Sequence, residues 1–294
     1  MPVAAVAPGK TLSPDLQQAL LRVAEIRSLP EITTRIVQVV EDPRATARDM
    51  HDIIRMDPAL AAKILRVVNS AFYGLPSQVA SLERAILLLG LSAVKNIALA
   101  ASLSRLFSAA ALAEQFVARD IWRHCVAVGV CSRLLASAGN SNQADEAFVA
   151  GLVHDVGLIV VQQLFPAKLK VVAAQCNAAA QSFCALEQGV IGADHQTFGA
   201  ALATKWRFPA GLYHAIAYHH EPLTLQPEFR KIPAIVYAAD TLCGRERYGF
   251  WLTSQGQELR ETILQPVALV PEFLEQMAAE LPGRVEEAER VFTE

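Results

Sequence analysis

The chain has 294 residues, 53% of them hydrophobic, and a formal net charge of −3. That is enough apolar material for one large or two modest cores, and it excludes a broad basic field that would draw nucleic acid by charge alone. No uninterrupted apolar run reaches the roughly 20 residues of a membrane-spanning helix, and the opening MPVAAVAPGK lacks the layout of a cleavable signal, so residues 1–14 are expected to form a disordered leader.

From there the sequence reads helix after helix. Residues 31–41 place Ile32, Ile36, Val39 and Val40 at helical spacing. Thr46 and Asp49 make a near-capping box for the next helix. Asp57 followed by Pro58 is a start signal, and the run behind it puts Leu60, Ile64, Val67 and Val68 on one face until NSAFYGLP breaks it. Ser81 opens a helix that Gly90 closes, and Ser92 opens one reaching about Phe107. These short helices predict a first bundle over residues 15–108, and an Ala-rich stretch, 108–113, leads into a second over residues 109–245. Its helices are expected near 114–138, 145–164, 167–181, 194–206, 210–220 and 232–244, with Gly139, Pro166, Pro209, Pro222 and Pro233 as boundaries. A C-terminal extension, 246–294, carries two amphipathic stretches near 271–281 and 283–293. No strand alternation, repeat or low-complexity block appears, so the expected fold is all-α. NSAFYG reads as a structural corner with Asn69 capping backbone and Phe72 buried. Trp122 and Trp206 read as core.

The five cysteines, Cys125, Cys131, Cys176, Cys184 and Cys243, are odd in number and contain no CxxC pair. This argues against a disulfide framework or a cysteine zinc site and for a reducing cytoplasm.

Nearly all residues able to hold a metal fall in the second unit: Asp120, His124, His154, Asp155, His195, His219, His220 and Asp240. Asp120 and His124, four apart, share a helix face. Asp155 stands in AFVAGLVHDVGLIVVQQL and Asp240 in IVYAADTLC, where a carboxylate is costly unless it meets a cation or hydrogen-bond donors. Imidazole and carboxylate together suit zinc, iron, manganese or nickel. Taken singly, a His or Asp in an apolar helix is more often a hydrogen-bonded core residue or a cap, and His51 and His214 are placed in that class.

His124, HD at 154–155 and Asp240 resemble the H…HD…D pattern of HD-superfamily metal-dependent phosphohydrolases. His195 and the HHE at 219–221 resemble the HD-GYP branch, which splits cyclic dinucleotides, and Asp120 stands where that branch carries a Glu. The resemblance implies one or two divalent ions, with Asp155 bridging. It places His124, His154 and Asp240 at one position and His195, His219 and His220 at the other. Two features depart from that branch: Leu158 occupies the place of its phosphate-holding Lys, and the GYP loop after HHE is absent. LPEITTRIVQVVEDPRATARDMHDIIRMDPALAAKILRVVNSAFYGLP, SLERAILLLGLSAVKNIALA, IWRHCVAVG, GLVHDVGL and ADHQTFGAALATKWRFP together resemble the HDOD family (HD-related output domain) over about residues 25–225. That likeness implies an HD-type bundle preceded by an HDOD-type N-terminal bundle. It also implies a non-catalytic bacterial signalling module that binds a partner protein or a small, nucleotide-like ligand, with no direct nucleic-acid contact. The alternatives are an active metal-dependent phosphohydrolase or cyclic-dinucleotide phosphodiesterase and, more weakly, a metal or redox sensor.

Overall fold

The computed structural model describes Val23 and residues 29–110, 118–139, 143–179, 181–267 and 271–293; the leader expected over 1–14 and part of the Ala-rich stretch lie outside them. Among the described residues the fold is all-α. The first helices follow their local signals closely. Helix α1 (Glu31–Glu41) is followed by α2 (Ala47–Ile54), which opens on a capping box in which Thr46 and Asp49 satisfy each other's backbone N–H. The Asp57 carboxylate accepts from Leu60 N–H at the start of α3 (Pro58–Val68). Ser81 caps α4 (Leu82–Leu89), and Gly90, at φ +87°, ends it. Helix α5 (Leu91–Ala110) then begins one residue before the expected serine, and α1–α4 all pack against it.

The NSAFYG corner is built as expected. The Asn69 side chain donates to Leu65 O and Val79 O and accepts from Val79 N–H. Phe72 is buried, and the Arg133 guanidinium lies over Phe72 and Tyr73 while donating to Phe72 O and Asp145. Trp122 and Trp206 are core residues, and all five cysteines are unpaired.

Helix α6 (Ala118–Ala138) lies along α7 (Ala144–Val153), which is followed by α8 (Val156–Leu164), α9 (Pro166–Ala179), α10 (Phe183–Val190), α11 (His195–Trp206), α12 (Ala210–Tyr218), α13 (Lys231–Arg245), the short α14 (Glu261–Leu264) and α15 (Pro271–Thr293). One continuous buried cluster runs from Val23 to Phe292, so the helices before and after α5 share a core.

Three expectations are corrected. The single helix expected over 145–164 is two, because the chain turns at His154 and Asp155, with Asp155 at φ −94°, ψ 16°. That break aims both side chains into the interior instead of around a helix barrel. Residues Ala144–Leu164 are the one segment among those described that is long and apolar enough to suit a bilayer, but 78% of it is buried within the fold. Helix α10 has no counterpart in the expected elements; Ser182 caps it by accepting from Ala185 N–H. The two stretches of the C-terminal extension form one helix through Pro282. Leu274, Met277, Leu281, Val285, Ala288 and Phe292 are buried on one face of that helix, and their burial outweighs the roughly 3 kcal/mol that proline costs a helix interior.

Candidate metal centre

Four helices, the turn between two others and one strap converge on a polar cluster in the core. Helix α6 brings His124, the α7–α8 turn brings His154 and Asp155, α11 starts with His195, the end of α12 brings His219 and His220, and α13 brings Asp240. His124, His154, Asp155, His195, His219 and Asp240 each have 0% exposure. Gly157 makes part of this possible: a Cβ there would lie 1.9 Å from His195 O, so only glycine lets α8 approach α11 closely enough to bring Asp155 to His195.

Asp155 is the hub. Its Oδ1 lies 3.2 Å from His195 Nε2 and 3.4 Å from His219 Nε2, and its Oδ2 lies 3.4 Å from His154 Nε2. His195 Nε2 is 3.0 Å from His220 Nε2 and 3.4 Å from His219 Nε2. The donor atoms form two groups that share Asp155, each spanning no more than 4.8 Å: His124, His154 and Asp155, and Asp155, His195, His219 and His220. Asp240 joins the first group through a 2.9 Å contact between Oδ1 and His124 Nε2. Asp120 is not drawn in. One turn before His124, at the start of α6, it is exposed, and its backbone carbonyl accepts from Phe250 N–H.

The outward nitrogens of four imidazoles are tied to acceptors. His124 Nδ1 is 3.0 Å from Tyr248 O, His154 Nδ1 2.7 Å from Gly151 O, and His219 Nδ1 3.0 Å from Ala215 O. His195 Nδ1 is 2.6 Å from Glu187 Oε2, which also accepts the His195 backbone N–H at 2.9 Å. An acceptor on Nδ1 fixes the proton there and turns the Nε2 lone pair inward, the arrangement a metal-ligating histidine requires. The Cys184, Glu187 and His195 grouping on the far side of His195 is a hydrogen-bonded contact: at 2.6 Å, nothing fits between Glu187 and His195.

The donor set fits a divalent transition metal. Buried polar atoms almost always find a well-aligned hydrogen-bond partner, yet Asp240 Oδ2 has none, and His154 Nε2 and Asp155 Oδ1 have only the imidazole–carboxylate approaches between Asp155 and its histidines. Ligands about 2.1 Å from an ion stand about 3.0–3.4 Å from each other in octahedral or tetrahedral sites, and the contacts of His195 with Asp155, His219 and His220, and of Asp155 with His219, span 3.0–3.4 Å.

Without an ion, protons must balance the charges. Burial works against charge on His154 and His195, but Asp155 beside the first, and Glu187 and Asp155 beside the second, hold both well above the ordinary imidazole range. Burial likewise opposes the Asp155 charge, and the cationic His154 and His195 overcome it, holding that carboxyl well below its usual value. Burial lowers His219, and burial together with the His219 and His195 charges lowers His220 further.

Several contributors escaped the sequence reading. Glu187 is wholly buried on α10. Its signal was a lone acid in FCALEQGV, eight residues ahead of His195, on a helix that was itself overlooked. A strap, residues 248–258, closes over the cluster. Gly249, at φ +55°, passes so close to α6 that a Cβ would lie 2.2 Å from Asp120 O. Tyr248 O receives His124, Thr253 donates to Asp155 Oδ2 at 3.2 Å, and the Gln257 amide meets His220. No periodicity in the strap announces these contacts.

Residues 26–222, more than half of the chain, match the family model described as the HDOD domain. The chain belongs to the HDOD family. The match ends before Asp240 and the strap. Solved structures share the fold. An HDOD domain protein of unknown function from Geobacter sulfurreducens is 22% identical with a TM-score of 0.73, covering 95% of this chain and 99% of its own. A candidate phosphohydrolase from Shewanella amazonensis is 22% identical with a TM-score of 0.73, covering 93% and 98%. A candidate signal transduction protein from Marinobacter aquaeolei is 23% identical with a TM-score of 0.74, covering 95% and 65%. An uncharacterised Treponema pallidum protein is 24% identical over 223 residues, 74% of this HDOD chain, which spans only 42% of that relative's length.

Proposed function

We propose that this HDOD chain is a non-catalytic signalling module that holds one or two divalent ions in a closed, degenerate HD site. The observation that carries the reading is the closure of the centre. Six of the seven clustered ligand candidates have 0% exposure, and the strap covers the cluster through Tyr248, Thr253 and Gln257. Catalytic metal sites keep a coordination position open to substrate, whereas structural sites are closed. Leu158 adds to this: it is wholly buried where the HD-GYP resemblance calls for a phosphate-holding lysine, and an apolar side chain cannot neutralise phosphoryl oxygens.

When bound, a divalent ion in such a site supplies Lewis acidity and lowers the pKa of coordinated water. His124, His154 and Asp240 would hold one position, His195, His219 and His220 the other, with Asp155 between them. In a closed site their task is to fix the arrangement of the helices that carry them. Recognition then belongs to the surface. A groove of about 610 Å³ lies between the α1–α2 and α4–α5 junctions on one side and α7 and α12 on the other, lined among others by Glu41, Lys95, Asn96, Glu146 and Leu212. None of the clustered residues lines it. A partner protein or a small, nucleotide-like ligand docking there would contact helices on both sides of α5. The unpaired thiols suit a reducing cytoplasm.

The second reading, a metal-dependent phosphohydrolase acting on a nucleotide or cyclic dinucleotide, rests on the near-complete set of imidazole and carboxylate ligands. Metal analysis of purified protein, paired with assays against cyclic di-GMP, a chromogenic phosphodiester and nucleotides, separates the two. The module reading expects bound metal without turnover. Metal-dependent turnover that disappears in Asp155→Ala would replace it with the enzyme. Protein without metal would remove the ions from the proposal and leave a scaffold.

A further inference from the structure

Four of the five clustered imidazoles have Nδ1 against an unambiguous acceptor, a backbone carbonyl or the Glu187 carboxylate. His220 is the exception. Its Nδ1 faces the side-chain amide of Gln257, and an amide is an acceptor at one end and a donor at the other. Which end meets His220 decides where that ring carries its proton, and so whether its Nε2, 3.0 Å from His195 Nε2, offers a lone pair to the cluster.

The far end of the amide lies 2.9 Å from Thr241 Oγ1, and the same hydroxyl lies 2.7 Å from Tyr237 O. With the amide oxygen toward Thr241, as the atoms stand, one hydroxyl proton faces two acceptors. The amide nitrogen then donates to His220 Nδ1, which forces the proton onto His220 Nε2. Turning the amide over removes that conflict. The Thr241 hydroxyl donates to Tyr237 O and accepts from Gln257 N–H, and Gln257 Oε1 accepts from His220 Nδ1–H. Amide orientation is assigned by such networks, since nitrogen and oxygen occupy the same shape. The second arrangement also puts a proton on His220 Nδ1, the nitrogen that faces an acceptor in the other four.

We propose that Gln257 is a positioning residue of the metal centre: its amide nitrogen donates to Thr241, which turns its oxygen to His220, keeps His220 protonated at Nδ1 and turns the Nε2 lone pair toward Asp155 and His195. The strap is thereby fastened to a ligand through a side chain beyond the family-matched residues, and the effect on metal affinity rests on the proposed metal reading of the site.

The test separates the two levels. In metal-free protein labelled with ¹⁵N-histidine, with His220 assigned by comparison with His220→Asn, long-range ¹H–¹⁵N correlation reads its tautomer directly. A pyrrole-type Nδ1 and pyridine-type Nε2 are expected in the wild type and in Gln257→Glu, whose carboxylate can only accept. Gln257→Leu is expected to lose that fixed pattern. The reverse pattern in the wild type, or an unchanged one in Gln257→Leu, overturns the proposal whether or not metal binds. Zinc titration against a competing chelator gives the second readout: Gln257→Leu should weaken binding on the order of 10–100-fold, as loss of an orienting partner does elsewhere, and Gln257→Glu should restore it. Wild-type affinity in Gln257→Leu overturns the role. A wild type that takes up no zinc counts against the metal reading alone, and the tautomer still decides the role of Gln257.

Discussion

Glu187 Oε2 and His195 Nδ1 lie 2.6 Å apart with both side chains at 0% exposure, and the same oxygen accepts the His195 backbone N–H. One carboxylate therefore sets the rotamer, the tautomer and the helix start of the residue that faces Asp155. Replacing it tests how the ligand set is supported. Glu187→Leu leaves the imidazole without its buried partner and is expected to cost about 3–5 kcal/mol, the range for breaking a buried pair. Glu187→Gln keeps the shape and is expected to retain most stability while losing metal affinity on the order of 10–100-fold. Urea unfolding and chelator competition measure the two effects; Glu187→Gln protein that binds metal as tightly as the wild type would show that the pair serves packing alone.

The pH dependence of metal stabilisation has a definite sign. His154 and His195 hold protons above the ordinary imidazole range. Their contribution to the metal-free fold is fully present below the unfolded value, about 6.5, and is lost as pH rises through the folded values. The depressed Asp155 carboxyl contributes above its unfolded value and loses that contribution as pH falls through its folded one. Metal needs the Nε2 lone pairs, so loading expels these protons. The rise in Tm on adding zinc should therefore grow from mildly acidic to mildly alkaline buffer. A rise that is constant or larger in acid would contradict the assignment of both protons.

Leu158→Lys restores the residue type of the HD-GYP branch but places an ammonium at a position with 0% exposure. The expected outcome is a loss of more than about 2 kcal/mol, because a buried charge without a partner is costly. No turnover of cyclic di-GMP should appear. Chemical unfolding and a product assay check this. A variant that is stable and hydrolytic would mean that the lysine finds a phosphate-sized space the closed centre does not show.

Pro282 interrupts α15 on its exposed side while Leu281 and Val285 stay buried. Pro282→Ala restores a backbone donor and removes the ring, so a gain of about 1 kcal/mol or more is expected, read as a Tm increase of roughly 2 °C or more. A lower Tm would mean that a proline kink is part of how α15 follows α6.

Local signals carried much of the architecture. Thr46 with Asp49, Asp57 with Pro58 and Ser81 with Gly90 mark helix ends through contacts within three or four residues, so the sequence alone reveals them. The candidate ligand set was legible because Asp155 and Asp240 stand in apolar runs, where a carboxylate carries a desolvation cost, and because the histidines combine with them in the H…HD…D and HHE patterns. Asp120 was included on helical spacing and on its place in the HD-GYP pattern, and neither tells which turn of a helix still faces the interior. The apolar run 145–164 hid the turn at His154 and Asp155, since its composition suits one helix as well as two.

The sequence by itself determined an all-α fold, because caps and periodicity are properties of near neighbours along the chain, and its resemblance to the HDOD family, together with costly buried acids, marked the residues that could form the centre. Only the tertiary structure decided which atoms meet: that Asp155 stands at 3.2 Å from His195, that Glu187 supports that ring, and that a strap without periodicity closes over His220. These contacts join residues from 8 to 40 positions apart, and contacts at that separation depend on how helices pack, which no local pattern encodes.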